Sequence, residues 1–266
     1  MTSGRTSARE LLDFYLEVGA DALVGEEAVD RFAEPATPVA RPSAMAERPA
    51  APTARPAIAA PSLAPAAPEA AATEAREAAR SAGTLEELRA ILERFDGCAL
   101  KATATRLVFA DGNPQARLML VGEAPGRDED LEGLPFVGRS GKLLDRMLAA
   151  IGFDRTSVYI ANVVPWRPPG NRTPTPQETQ VCLPFITRQI ELANPDVLVC
   201  LGGPSAQTLL GQSGITKIRG RWFPFTAGAR EIRAMPTFHP AFLLRSPLQK
   251  RFAWRDFLAI KKALDG

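Results

Sequence analysis

The stretch LMLVGEAPG, residues 118–126, runs four apolar side chains into a loop bracketed by Gly122 and Gly126. A run this short, stopped by Gly and Pro, reads as a strand buried on both faces. The pattern repeats along the chain: helix over 140–151, strand over 158–164, helix over 177–192, strand over 197–201, helix over 204–210, and a strand at Ile232–Met235 running toward another helix start. Strands alternating with helices predict an α/β fold, a mostly parallel sheet covered by helices on both faces. In such sheets the ligand sits beyond the carboxyl ends of the strands. That rule singles out Gly122–Gly126 after the first strand, Asn162 at the end of the second, and Gly202 with Gly203 after the third.

Upstream of this block the composition changes. From Ala33 to Ala72, 26 of 40 residues are Ala or Pro. Prolines every few residues deny the stretch a packed apolar face, which predicts a semi-rigid disordered linker. Ahead of it, Ala8–Leu23 places Leu11, Leu12, Tyr15, Leu16 and Val18 on or near one face of a helix too short to be a stable domain alone. It has the pattern of a docking peptide or a loosely tethered helix, and the expected role is recruitment of a replication or repair partner. Behind the linker, residues 72–95 read as helical, with Thr84 as a cap and Glu87 three residues later. The expected organisation is an amphipathic helix region over 1–32, a disordered linker over 33–72 and a folded domain over 73–266.

A chain of 266 residues, 45% hydrophobic and 23% charged, suits one well-buried domain with an appendage. No stretch approaches the roughly 20 apolar residues of a membrane helix, and the first residues lack the layout of a secretory signal. The expectation is a soluble, cytoplasmic protein with no membrane partner. Cys98, Cys182 and Cys200 are widely spaced and contain no CxxC pair, so they predict buried free thiols and neither a disulfide framework nor a zinc ribbon. The net charge of +2 hides an asymmetry: residues 1–95 hold 10 basic and 15 acidic side chains, and residues 96–266 hold 22 and 15. From Lys217 onward 11 Lys or Arg face only Glu231, Asp256 and Asp265, a one-sided field that attracts phosphate backbones.

Four loops carry candidate chemistry. GEAPG (122–126) sets Glu123 between two glycines at a strand end, where backbone can approach a ligand closely; a tight turn with an exposed Glu would look the same. GLPFVGRSG (133–141) holds one ring, Phe136, ahead of a helix N-terminus; Phe136 either stacks on a flat base or plugs the core. Asn162 leads into WRPPGNRTP (166–174), and its amide offers a donor and an acceptor that match a pyrimidine edge, although a backbone-capping Asn is the other reading. PTFHPAFLLRSP (236–247) contains the chain's single histidine, His239, among basic residues that favour its neutral form.

Taken together, GEAPG, the DxxGxPFVGxSGxLLD stretch over Asp130–Asp145, NVVPWRPPGNRTP and FHPAFLL resemble the family 4 uracil-DNA glycosylases. The motifs stand in the family's order and span about residues 96–264; the first 90 residues lie outside the likeness. The resemblance implies a three-layer α/β/α sandwich and a DNA-repair glycosylase that swings uracil out of the helix and hydrolyses its bond to the sugar. It implies catalytic roles for Glu123, which orients or activates the water, and His239, which stabilises the departing uracil. Gly122, Ala124, Pro125, Gly126, Phe136 and Asn162 would form the base pocket, with Phe136 stacking and Asn162 reading the pairing edge. Arg167, Arg172 and Arg245 would hold DNA, and Leu243 or Leu244 would wedge into the gap left by the base. The partner implied is uracil-containing DNA, at the nucleoid of a bacterial cytoplasm.

The chain departs from the family at its iron-sulfur site. Cys98 and Cys182 match the second and fourth cluster ligands, whereas Phe95 and Trp166 stand at the first and third. Two thiolates do not hold a four-iron cluster, so no metal and no cofactor are expected. Self-crosslinking to DNA, as in a related branch with an additional histidine, is not expected with His239 alone. Three other readings remain: a non-catalytic damaged-DNA sensor, a glycosylase of the same fold with another preferred base, and an α/β protein that binds some nucleotide, which the basic C-terminal region favours less than DNA.

Overall fold

The computed structural model of the protein describes residues 68–265. The expectations for residues 1–32 and for most of the linker lie outside this range.

Six strands form one sheet in the order β1-β3-β2-β4-β6-β5: β1 (Asp111–Gly112), β2 (Leu118–Gly122), β3 (Tyr159–Asn162), β4 (Val197–Leu201), β5 (Phe223–Ala227) and β6 (Arg230–Thr237). The central four, β3-β2-β4-β6, are parallel, and β1 and β5 close the edges antiparallel. Every residue of β2 and β4 is buried, which is why both read as continuous apolar runs without alternation.

Alternate residues of each strand feed opposite cores, because successive side chains of a strand point to opposite faces. Met119, Val121, Ala161, Leu198 and Cys200 pack on one side with residues of α1 (Pro68–Ser81), α2 (Leu85–Arg94), α5 (Pro176–Ala193) and α6 (Gly203–Leu210). Leu118, Leu120, Ile160, Val197 and Val199 pack on the other with Leu144 and Leu148 of α4 (Arg139–Ala149) and Phe257 and Ile260 of α9 (Lys250–Asp265). This is the α/β/α sandwich that the resemblance implied. Three one- to two-turn helices complete it: α3 (Arg127–Glu132), α7 (Ile215–Ile218) and α8 (Pro240–Arg245). Among the described residues no helix is long and apolar enough to cross a membrane.

The linker prediction ends too late. Its last five residues, Pro68–Ala72, already belong to α1, and Ala71, Ala72, Ala75 and Ala79 are all buried. Alanine is linker material only while prolines keep interrupting it; once they stop, an alanine stripe at helical spacing lets α1 lie close against α5. The predicted helix over 72–95 is two helices, parted at Ala82–Thr84. Thr84 caps α2 by accepting from the Glu87 N–H at 3.2 Å, and the Glu87 carboxylate accepts from the Gly83 N–H at 2.7 Å.

Candidate active site

The loops that follow β2, β3, β4 and β6 converge on a cavity of about 620 Å³ at the carboxyl edge of the sheet. Glu123, Phe136, Asn162, His239 and Arg245 all line it. Residues separated by more than a hundred positions therefore meet at the place the strand-end rule selected.

The β2–β3 register sets Gly122 directly beside Asn162. Glycine is required there by space: a Cβ on Gly122 would stand 2.4 Å from Asn162 Oδ1 and 2.7 Å from the Phe136 ring. Asn162 is buried, and its Oδ1 has no hydrogen-bond partner among the described residues; the same is true of Glu123 Oε1. Buried polar atoms are nearly always satisfied, so two orphans in one cavity mark positions where a ligand or water completes the bonding. Burial raises the Glu123 pKa above that of an ordinary glutamate.

His239 leaves β6 and caps α8. Its Nδ1 accepts from the Ala241 N–H at 3.1 Å, and this bond selects the neutral tautomer whose proton is on Nε2. Burial, reinforced by the Arg245 charge, pushes its pKa down to about 4. The ring is therefore a neutral donor at physiological pH. Gly202, with φ +98, abuts it: a Cβ there would stand 3.1 Å from His239 Cβ. The Phe136 ring lies 5.4 Å from the His239 ring, tilted by 32°, and is itself buried.

Glu129, which the sequence reading passed over, is a buried carboxylate that accepts from the N–H groups of Gly126 at 3.1 Å, Val137 at 3.1 Å and Gly138 at 3.0 Å. It ties the 122–126 loop to the loop that carries Phe136. The main-chain groups it holds leave no trace in side-chain patterns. Ala124, Pro125 and Gly126 line the cavity as expected, and so do Ile215 and Phe242, which no motif marked.

Three DNA-contact expectations need correction or qualification. Leu243 is 1% exposed and packs with Phe238 and Ala253, so it is core and not a wedge; Leu244, 37% exposed, is the leucine that faces outward. Helical geometry turns neighbouring residues by about 100°, so only one of the pair can face solvent. Arg172 reaches the cavity, but its guanidinium grips Glu178 with bonds of 2.8 and 2.6 Å, leaving little free charge for phosphate. Arg167 lies off the cavity lining and binds Asn171 Oδ1 at 2.8 Å, with Asp130 3.9 Å away. Arg245 forms no ion pair among the described residues and opens onto the cavity.

Away from the cavity, Cys98 and Cys182 are buried with sulfurs 3.9 Å apart. Phe95 and Trp166 are buried in the same core, Phe95 packing edge-on to Phe185 at 5.0 Å. The hydrogen bond that the Cys182 thiol donates to the Cys98 sulfur lowers the pKa of Cys98 and raises that of Cys182. Cys200 sits inside β4, where burial pushes its thiol up to about 12. Among the described residues no group of three or more His, Cys, Asp or Glu could hold a metal ion. A four-iron cluster takes four thiolates, and this core presents two thiols with aromatic rings; the residues present do not fit that group.

The sequence model of the uracil DNA glycosylase superfamily matches residues 109–258, more than half of the chain. The type-4 uracil-DNA glycosylase of Archaeoglobus fulgidus is 42% identical over 168 residues, covering 61% of this chain and 84% of that protein. The type-4 enzyme of Thermotoga maritima is 44% identical over 169 residues, covering 61% and 86%. That of Sulfurisphaera tokodaii is 39% identical over 185 residues, covering 67% and 84%. With an α/β/α sandwich, and a family model that spans every residue lining the strand-end cavity, the chain belongs to the uracil DNA glycosylase superfamily.

Proposed function

We propose that the protein excises uracil from DNA by hydrolysing the N-glycosidic bond, leaving an abasic site. The observation that carries this reading is the set of unsatisfied groups in the cavity: Asn162 Oδ1 and Glu123 Oε1 without partners among the described residues, and a neutral His239 with its Nε2 proton free of the Ala241 bond.

Each group answers one demand of the reaction. A base inside a duplex is unreachable, so it must be flipped into the pocket, with outward-facing Leu244 beside the gap and Arg245 on the phosphates. Phe136 offers the flipped ring an apolar face. Asn162 accepts from the uracil N3–H through Oδ1 and donates through its amide to O4. Cytosine presents the reverse pattern and would leave both partners unpaired, a larger penalty than a lost apolar contact. As the bond breaks, negative charge grows on uracil and positive charge on the sugar. His239 donates from Nε2 to the uracil carbonyl oxygen, and ionised Glu123 holds the attacking water and takes its proton.

The reaction needs no metal on this reading. Support comes from Phe95 and Trp166 closing the core where cluster ligands would stand, with only Cys98 and Cys182 remaining beside them. The presence of all four pocket side chains favours an enzyme over a damage sensor. Acting on DNA, the protein would work at the nucleoid, and residues 1–32 on their linker would recruit a repair or replication partner. Deleting residues 1–67, which leaves α1 whole, without change in partner pull-down or localisation would remove that last element.

The direct test is a labelled oligonucleotide with one uracil, incubated with protein of measured iron content and then treated with alkali. Cleavage from an iron-free preparation, sharply reduced in His239→Ala and Glu123→Ala, is the expected result. Binding without cleavage would favour the sensor, and preference for another lesion in competition would favour a different base.

A further inference from the structure

Phe136 is held in the left-handed backbone region, at φ +55. An aromatic residue adopts that conformation only where its surroundings over-determine it. Here they do so from several directions. The Arg155 guanidinium donates to the Phe136 carbonyl, and to the Pro135 carbonyl at 3.2 and 3.3 Å. Arg155 is itself anchored by Asp145 of α4, at 2.9 Å from Nε, and by Asp111 of β1. From the other side Glu129 takes the N–H groups of Val137 and Gly138. Gly141, in the first turn of α4, leaves the Phe136 carbonyl room to point at Arg155; a Cβ there would stand 1.6 Å from that oxygen.

We infer that Arg155 is a positioning residue for the base pocket: by clamping the Phe136 carbonyl it fixes the ring against His239 and Gly122 and so sets the slot that receives the flipped pyrimidine. This rests on the uracil-excising reading for its substrate, but the clamp itself is a property of the backbone. Arg155 reaches no substrate atom, since its donors are committed to two carboxylates and two carbonyls. Its planar fork is what lets one side chain serve all four, which a lysine cannot copy.

The test is a double-mutant cycle on Arg155→Met and Phe136→Ala, read as inhibition of cleavage by free uracil and as kcat/KM on the uracil oligonucleotide. If Arg155 acts through Phe136, Arg155→Met weakens uracil inhibition about tenfold in the wild-type background and no more than about twofold in the Phe136→Ala background, because effects on one chain of contact do not add. Affinity for abasic-site DNA should hold steady, and Arg155→Lys should recover part of the loss. Equal factors in both backgrounds would overturn the clamp and leave Arg155 as a cross-link of the fold.

A second readout separates this from the glycosylase reading: 4-fluorophenylalanine at position 136, followed by fluorine NMR. One sharp resonance in the wild type, displaced or broadened in Arg155→Met, supports the clamp whether or not uracil is cut. An unchanged resonance rejects it even in an active enzyme. Should Arg155→Met not fold, Asp145→Asn and Arg155→Lys give the same comparison with milder lesions.

Discussion

The cavity at the strand ends and the core around Cys98 and Cys182 are built on opposite principles. The cavity keeps two buried polar atoms without partners among the described residues, a glutamate whose pKa burial raises and a histidine whose pKa is lowered to about 4. The cysteine region buries its thiols against each other and fills the rest with Phe95, Trp166 and Phe185. One region holds unmet bonding capacity that a substrate can use. The other is closed by rings that stabilise the fold and ask for nothing further. A residue's removal should therefore cost function in the first region and stability in the second.

The sharpest way to break that contrast is at the cavity. His239→Ala and Glu123→Ala are each expected to lower kcat by about 10²–10⁴-fold, measured by single-turnover cleavage, with the melting temperature near that of wild type. A large stability loss in either would mean the polar cavity is also structural. In the cysteine region the expectation inverts: Trp166→Ala should cost about 3–5 kcal/mol by denaturant unfolding, while cleavage measured where the variant stays folded changes little.

The pH dependence sharpens the same comparison. Unfolded His239 titrates near the usual histidine value of about 6.5, whereas in the folded protein it does so at about 4. Between those values the unfolded chain holds the additional proton, so stability falls as pH falls, with a total loss on the order of 3 kcal/mol below the lower value. Urea melts from pH 7 to 4 should show that slope, and His239→Gln should flatten it. Glu123 acts on rate: because burial raises its pKa, cleavage should decline on the acid side at a higher pH than an ordinary glutamate would dictate. The smallest effect belongs to Cys98→Ala, expected to cost about 1 kcal/mol and no activity. A chelator that abolished cleavage would refute the metal-free reading outright.

Much of this was legible from the chain alone, for identifiable reasons. β2 and β4 are apolar runs because both faces are covered, and the glycines and prolines that end them mark the loops where the cavity forms. Thr84 and Glu87 announced a helix start because capping is local. The edge strands were not legible: β1 is two residues long, and β5 contains Pro224, which a central strand would not tolerate but an edge strand can. Pro68–Ala72 reads as linker because alanine serves a tether and a close helix contact equally well.

What the amino-acid order determined by itself was the α/β alternation, the four loops and the identity of the groups they bring to the strand ends, since periodicity and turn chemistry are written within a few residues. Only the tertiary structure decided that Leu243 is buried while Leu244 is exposed, that Glu178 occupies Arg172, and that Arg155 and Glu129 grip the backbone on either side of Phe136. Those contacts join side chains to partners from other elements or to main-chain atoms common to every residue, and such contacts leave no local pattern to read.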